Sequence, residues 1–281
     1  MHAPPHTDPL PVEPPAALTG RERSAWRHLR PLAVPAGNIW LADGEALCEL
    51  QIDHASARGA LSVHMMLQLA VHSLRLAEGA EGLLLLGADP RSFCSGGDLR
   101  AVRSALMEPG GAAAMHDLMV GSLRRLHARP GPLVALVRGT ALGGGAELLT
   151  WPEEVVAEAG AQIGFPQLRL GLSPGWGGGA RLARRVGAHR AQRLLTEGTP
   201  IGAAEALDLG LIDHVVAEGA GLAFARSRTR ALAARPVGLR GAARALFDGE
   251  VPEAERALFL DRWGSDAHRD ALDRVRQGRT G

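Results

Sequence analysis

The stretch PLVALVRGTALGGGAELL, residues 132–149, joins a continuous apolar run to a glycine-rich turn and then to an Ala-Glu-Leu-Leu segment of helical character. An apolar run of this length reads as a strand buried on both faces, Pro132–Arg138, and the turn at Gly139–Gly145 then leads into a short helix from Ala146. Upstream, the four-leucine run Gly82–Gly87 is a second such strand. It follows a segment, Ser62–Glu78, whose Met65, Leu69, His72 and Leu76 recur at helical spacing. With a helix over Ala112–Ala128 between the two strands, the pattern is that of βαβ units and an α/β fold.

Working outward, Asn38–Leu41 and Ala46–Asp53 flank Asp43-Gly44 and read as a hairpin. A third strand is expected at Glu154–Ala159, followed by an irregular stretch, Gly160–Gly179. Beyond it the pattern is mostly helical, with breaks at Gly187, Gly198, Gly202 and Gly210 and one strand-like run at Leu211–Ala217. Three parts are therefore expected: a flexible Pro-rich extension over residues 1–18, an α/β core over 19–200, and a C-terminal helical module over 201–281.

Composition removes several chemistries. The 281 residues carry 31 basic and 30 acidic side chains for a net charge of +1, with 46% hydrophobic residues, the profile of a globular protein with no electrostatic reason to bind nucleic acid. All 31 basic residues are Arg, and Lys and Tyr are both missing. Schiff-base chemistry, pyridoxal catalysis, a Walker P-loop and a phenolic acid are thereby excluded. Cys48 and Cys94 are too few for a disulfide framework and lack zinc-site spacing, and His54, His64, His116 and His268 show no HxxxH or HExxH pattern, so no metal is expected. No apolar run approaches transmembrane length, and residues 1–18 lack the layout of a signal peptide; a cytoplasmic protein with no membrane partner is expected.

Two glycine-rich turns concentrate the chemistry: FCSGGDL, residues 93–99, and GTALGGGAE, residues 139–147. Each follows a strand and opens a helix, where free backbone N–H groups carry partial positive charge and can hold a phosphate or an oxyanion. Neither matches GxGxxG or GxxxxGK[ST], which disfavours dinucleotides and nucleoside triphosphates. Tight turns and close packing would account for either set of glycines alone.

Together with AQIGFPQLRLGLSPGWGGGARLARRVG, residues 161–187, these turns resemble the enoyl-CoA hydratase/isomerase (crotonase) superfamily over roughly residues 38 to 278. The resemblance implies a spiral of ββα units with a C-terminal helical trimerisation module, assembled as a homotrimer or hexamer. It places the two oxyanion-hole donors on the N–H groups of Gly97 and Gly144 and a catalytic carboxylate on Glu147. Substrate contacts are implied for Gln167, Arg58, Ala60, Asp98, Leu99, Pro166 and Trp176. The expected partner is an acyl-CoA or acyl-carrier thioester, with no cofactor beyond the coenzyme A of the substrate.

Hydratases of that family use two glutamates, and the second position here is Gln167. An amide exchanges no proton at neutral pH, so two-carboxylate hydration loses one group. Further stretches, SVHMMLQL at residues 62–69, GDLRAV at 97–102, PGWGG at 174–178 and Arg262-Trp263-Gly264, resemble the ethylmalonyl-CoA/methylmalonyl-CoA decarboxylase branch. Decarboxylation of a 2-carboxyacyl thioester yields its enolate without a base. Glu147, expected in an apolar pocket, would then be the proton donor to the α-carbon. Hydration or isomerisation by Glu147 alone is the second reading, and a catalytically silent assembly or RNA-binding subunit the third.

Overall fold

The structure, a computed structural model, describes residues 9–98 and 108–236. Leu99, the remainder of GDLRAV, Arg262-Trp263-Gly264 and most of the expected C-terminal module lie outside the described residues.

Two sheets form the body. The larger has six strands in the order β1-β2-β3-β5-β7-β10: β1 (Asn38–Ala42), β2 (Leu47–Asp53), β3 (Gly82–Gly87), β5 (Leu133–Val137), β7 (Glu154–Glu158) and β10 (His214–Val216). The smaller has four, β4 (Ser92–Cys94), β6 (Thr140–Leu142), β8 (Gln162–Gly164) and β9 (Ile201–Gly202). The hairpin and the three apolar strands fall where their patterns place them. β3 and β5 are buried at every position, as strands covered on both faces must be.

The smaller sheet has no counterpart in the sequence pattern, because three-residue strands are too short to carry an alternation. Its origin is a repeat of geometry: β3, β5 and β7 each run in the large sheet, and the chain then steps over a few residues into β4, β6 and β8 of the small one. β4 and β6 are parallel neighbours, Ser92 opposite Thr140 and Cys94 opposite Ala141. The two glycine-rich turns leave these two strands at the same end.

Eight helices surround the sheets among the described residues: α1 (Gly20–Leu29), α2 (Val63–Arg75), α3 (Gly111–Ala128), α4 (Gly144–Leu148), α5 (Gly178–Val186), α6 (Ala188–Glu197), α7 (Ala203–Asp208) and α8 (Gly221–Ala233). α2 starts at Ser62, whose hydroxyl accepts the Met65 N–H. α1 escapes the apolar-period reading, yet its sequence carries a capping box: Thr19 accepts the Glu22 N–H, and the Glu22 carboxylate accepts the Thr19 N–H at 3.0 Å. The helix buries Trp26 and Leu29 against α3, where Gly121 leaves room for the Glu22 side chain. Where a flexible extension through residue 18 is expected, the structure fastens its later part. Leu18 is buried, Arg30 Nε donates to Pro11 O at 3.0 Å, and Arg23 donates to Ala16 O at 3.0 Å.

Candidate active site

The 93–98 turn is fixed by Leu61, which pairs with Gly97 in a parallel bridge. The Leu61 N–H donates to Gly96 O at 2.7 Å and Leu61 O accepts the Asp98 N–H at 2.9 Å. In that pattern the N–H of Gly97 itself turns away from Leu61. Gly144 is the first residue of α4, so its N–H has no intrahelical acceptor. Among the described residues, no hydrogen bond engages either amide.

The two turns touch. A methyl group on Gly145 would sit 2.0 Å from Cys94 O, and one on Gly96 would sit 3.2 Å from the Gly144 N. A methyl on Gly144 would run into the Trp176 indole at 2.5 Å. Gly143, at φ +56° and ψ −122°, has a backbone conformation that essentially only glycine adopts. Packing thus demands these glycines and in doing so brings the two free amides into neighbouring turns.

Glu147 lies on α4, 2% exposed, and both its oxygens are occupied. Oε1 accepts Gln167 Nε2 at 3.0 Å and the Gly175 N–H at 3.1 Å; Oε2 accepts the Trp176 N–H at 2.7 Å and the Gly178 N–H at 2.9 Å. The last of these is the N-terminus of α5, a place that favours an anion. The apolar pocket expected around Glu147 is therefore not what forms: four donors on four lone-pair positions suit an acceptor-only carboxylate. Gly178 must be glycine, since a methyl there would meet Glu147 Cγ at 2.3 Å.

Gln167 is placed by the short 3-10 turn Pro166–Leu170, whose first residue, Pro166, suits a helical start. With its amide nitrogen committed to Glu147, its buried Oε1 has no hydrogen-bond partner among the described residues. The structure thus brings together Glu147, Gln167, Trp176 and Gly144, with Gly97 and Asp98 in the adjoining turn. Trp176 lies under Gly144 and is fixed by Trp151 Nε1, which donates to Trp176 O at 3.1 Å.

Arg58 and Ala60 sit on the loop that brackets the first turn. Arg58 has a left-handed backbone, φ +53°, and its carbonyl accepts the Ser92 hydroxyl at 2.7 Å, while Ser95 Oγ donates to Ala57 O at 3.0 Å. Ala60 is buried, and its carbonyl accepts His54 Nδ1–H at 2.8 Å. Burial pushes the Cys94 thiol up to about 12, and its sulfur accepts the Gly96 N–H at 3.4 Å, so it holds the turn as a neutral thiol rather than serving as a nucleophile.

PGWGG and His116 stand in the sequence without any link to Glu147: the Gly175 and Gly178 N–H groups complete its cage, and behind them Trp151 Nε1 holds Trp176 O while His116 Nδ1 lies 2.7 Å from Gly175 O. PGWGG at 174–178 carries a local signal in its glycines. His116 carries none, because its contact spans 59 positions of the chain.

Residues 43–258 match the enoyl-CoA hydratase/isomerase family. The chain belongs to that family. Among curated relatives, ethylmalonyl-CoA decarboxylase of Xenopus tropicalis is 38% identical over 172 residues, a match spanning 60% of this chain and 57% of that protein. The Danio rerio protein of the same name is 34% identical over 257 residues, covering 86% of this chain and 84% of the relative. The enoyl-CoA isomerase/hydratase fer4 of Mycosarcoma maydis is also 34% identical, over 82% of this chain and 89% of its own. The solved structure of an enoyl-CoA hydratase from Polaromonas sp. JS666 superposes with a TM-score of 0.79 at 24% identity, covering 87% of this chain and 98% of that one; it bears on the fold alone. The expected crotonase-like α/β architecture is thus the family's. Among the described residues no helix of this family member is long and apolar enough to cross a membrane.

Proposed function

We propose that the protein decarboxylates a 2-carboxyacyl thioester, an alkylmalonyl-CoA or a carrier-bound equivalent, without a cofactor. The observation that carries this reading is the pairing of Glu147 with an amide, Gln167 Nε2 at 3.0 Å, at the position where two-carboxylate hydration needs a second acid. The relatives named ethylmalonyl-CoA decarboxylase support it.

In this reading the thioester oxygen lies against the N–H groups of Gly97 and Gly144. The bond from the α-carbon to the substrate carboxylate breaks, CO2 leaves, and the electron pair passes into an enolate whose oxygen the two amides hold; one such donor contributes about 2.7–4 kcal/mol. The α-carbon then takes one proton. Glu147 delivers it after taking it from water, and this requires one of the four N–H contacts to yield, since a protonated oxygen cannot accept as before. Before CO2 leaves, the Glu147 charge also opposes the substrate carboxylate, so loss of CO2 relieves a like-charge contact.

The test is incubation with malonyl-, methylmalonyl-, ethylmalonyl- and crotonyl-CoA followed by mass spectrometry. The expected result is CO2 loss from one of the first three, faster than water addition to crotonyl-CoA. Efficient hydration of crotonyl-CoA with every malonyl-type thioester untouched would replace this reading with a single-carboxylate hydratase, the alternative that the relative named isomerase/hydratase favours.

A further inference from the structure

The 174–178 segment presents three N–H groups to Glu147, and nothing in its own sequence makes that orientation obligatory. Among the described residues nothing fills the space where a Gly175 side chain would be, and Gly177 takes a left-handed backbone, φ +80°. A peptide plane beside such glycines can turn over with little steric cost, and turning over would direct a carbonyl at the carboxylate.

We propose that His116 is a positioning residue for Glu147, acting through the single peptide unit that joins Gly175 to Trp176. The Gly175 carbonyl lies 2.7 Å from His116 Nδ1, and the N–H of the same peptide unit donates to Glu147 Oε2 at 2.7 Å. A carbonyl oxygen only accepts, so Nδ1 carries the proton and the ring is the donor. His116 is itself exposed, and its donation acts by fixing the plane of the peptide whose N–H faces Glu147.

A second pin lies farther along the same helix. His127 Nδ1 donates to Trp151 O at 2.7 Å, Arg181 lies 4.1 Å over the Trp151 ring, and Trp151 Nε1 caps the next carbonyl, Trp176 O, at 3.1 Å. His116 and His127 are about three helical turns apart on α3, hence on one face. That face holds the carbonyls of the segment so that its N–H groups stay on Glu147.

The inference rests on Glu147 being the reacting carboxylate of the proposed function, and its test separates the two. Two variants are compared, His116→Leu, which removes the donor, and His116→Gln, whose amide can restore it. In His116→Leu, kcat falls about tenfold with KM within about twofold of wild type, and amide hydrogen exchange over residues 174–178 accelerates about tenfold; His116→Gln recovers both to within about threefold. Unchanged exchange in His116→Leu, or a loss that His116→Gln does not rescue at all, overturns the positioning role. If Glu147→Gln leaves turnover untouched, the reading of the site fails instead, while the exchange measurement still decides whether His116 holds the segment.

Discussion

Glu147 and Glu49 are buried to the same degree, each 2% exposed, and their charges are met in different ways. Glu49, on β2, faces α8 and is held by a guanidinium, Arg226 Nη2 to Oε2 at 3.0 Å with Nε on the other oxygen. A few strands away Glu154 is gripped likewise by Arg228 Nε and Nη2, both at 2.6 Å, and by His214 Nε2 at 3.2 Å. Glu147 receives dipoles instead: three backbone N–H groups and one amide. An ion pair cancels the charge and fixes the protonation state, whereas dipoles solvate the charge and leave it to act on a ligand. Glu49 and Glu154, on the α8 side of the large sheet, and Glu22, between α1 and α3, are thus ion-paired carboxylates that hold the fold, whereas Glu147 beside the small sheet is held by dipoles, as the role proposed for it requires.

The largest effect should come from trading the two kinds of carboxylate. Glu147→Gln is expected to lower turnover of the 2-carboxyacyl thioester proposed as substrate by about 10²-fold or more. It should also lower the unfolding free energy by about 1–3 kcal/mol, because the new NH2 group meets N–H donors rather than acceptors. Equal stability in urea titration would show that the cage adapts to an amide.

Next in size, Arg226→Met should cost about 3 kcal/mol of stability, at the low end for a broken buried pair because the guanidinium is partly solvated, with kcat/KM unchanged. A fall in activity larger than the fall in folded fraction would break the division between the two faces.

The α8 side should also answer to pH. Burial alone would raise the Glu154 carboxyl, but hydrogen bonds and charge from Arg228 and His214 outweigh it and hold the group below its ordinary value. A carboxyl depressed in the folded state stabilises fully above its unfolded value and loses that contribution as the pH falls through the folded one. The unfolding midpoint should therefore drop below about pH 4.5, and Arg228→Met should flatten that part of the curve. A curve of the same steepness in Arg228→Met would remove Glu154 from the clamp.

Smallest is the exposed contrast: Asp43→Asn, which breaks the solvent-exposed bridge to Arg75, should change stability by less than about 1 kcal/mol. A larger loss would mean that surface pairing matters here as much as burial.

The sequence by itself determined the strands of the large sheet, because Leu133–Val137 and Leu83–Leu86 are apolar at every position and can rest only where both faces are covered. It also determined the two glycine-rich turns, which are local facts of residue type, while Glu147 as the acid and Gln167 as the amide in the second position were implied by the resemblance to the enoyl-CoA hydratase/isomerase family. α1 was not read from the sequence, because its apolar period is too brief to announce a helix, and its Thr19–Glu22 capping box was recognised only in the structure. Only the tertiary structure decided that β4 and β6 lie side by side and carry the turns of Gly97 and Gly144 together, since strands of three residues hold no pattern of their own. It alone decided what surrounds Glu147. The acid, its amide partner, the Trp176 N–H and the His116 ring come from four separate stretches of chain, and the direction of a backbone N–H is set by how peptide planes pack, not by which side chain follows.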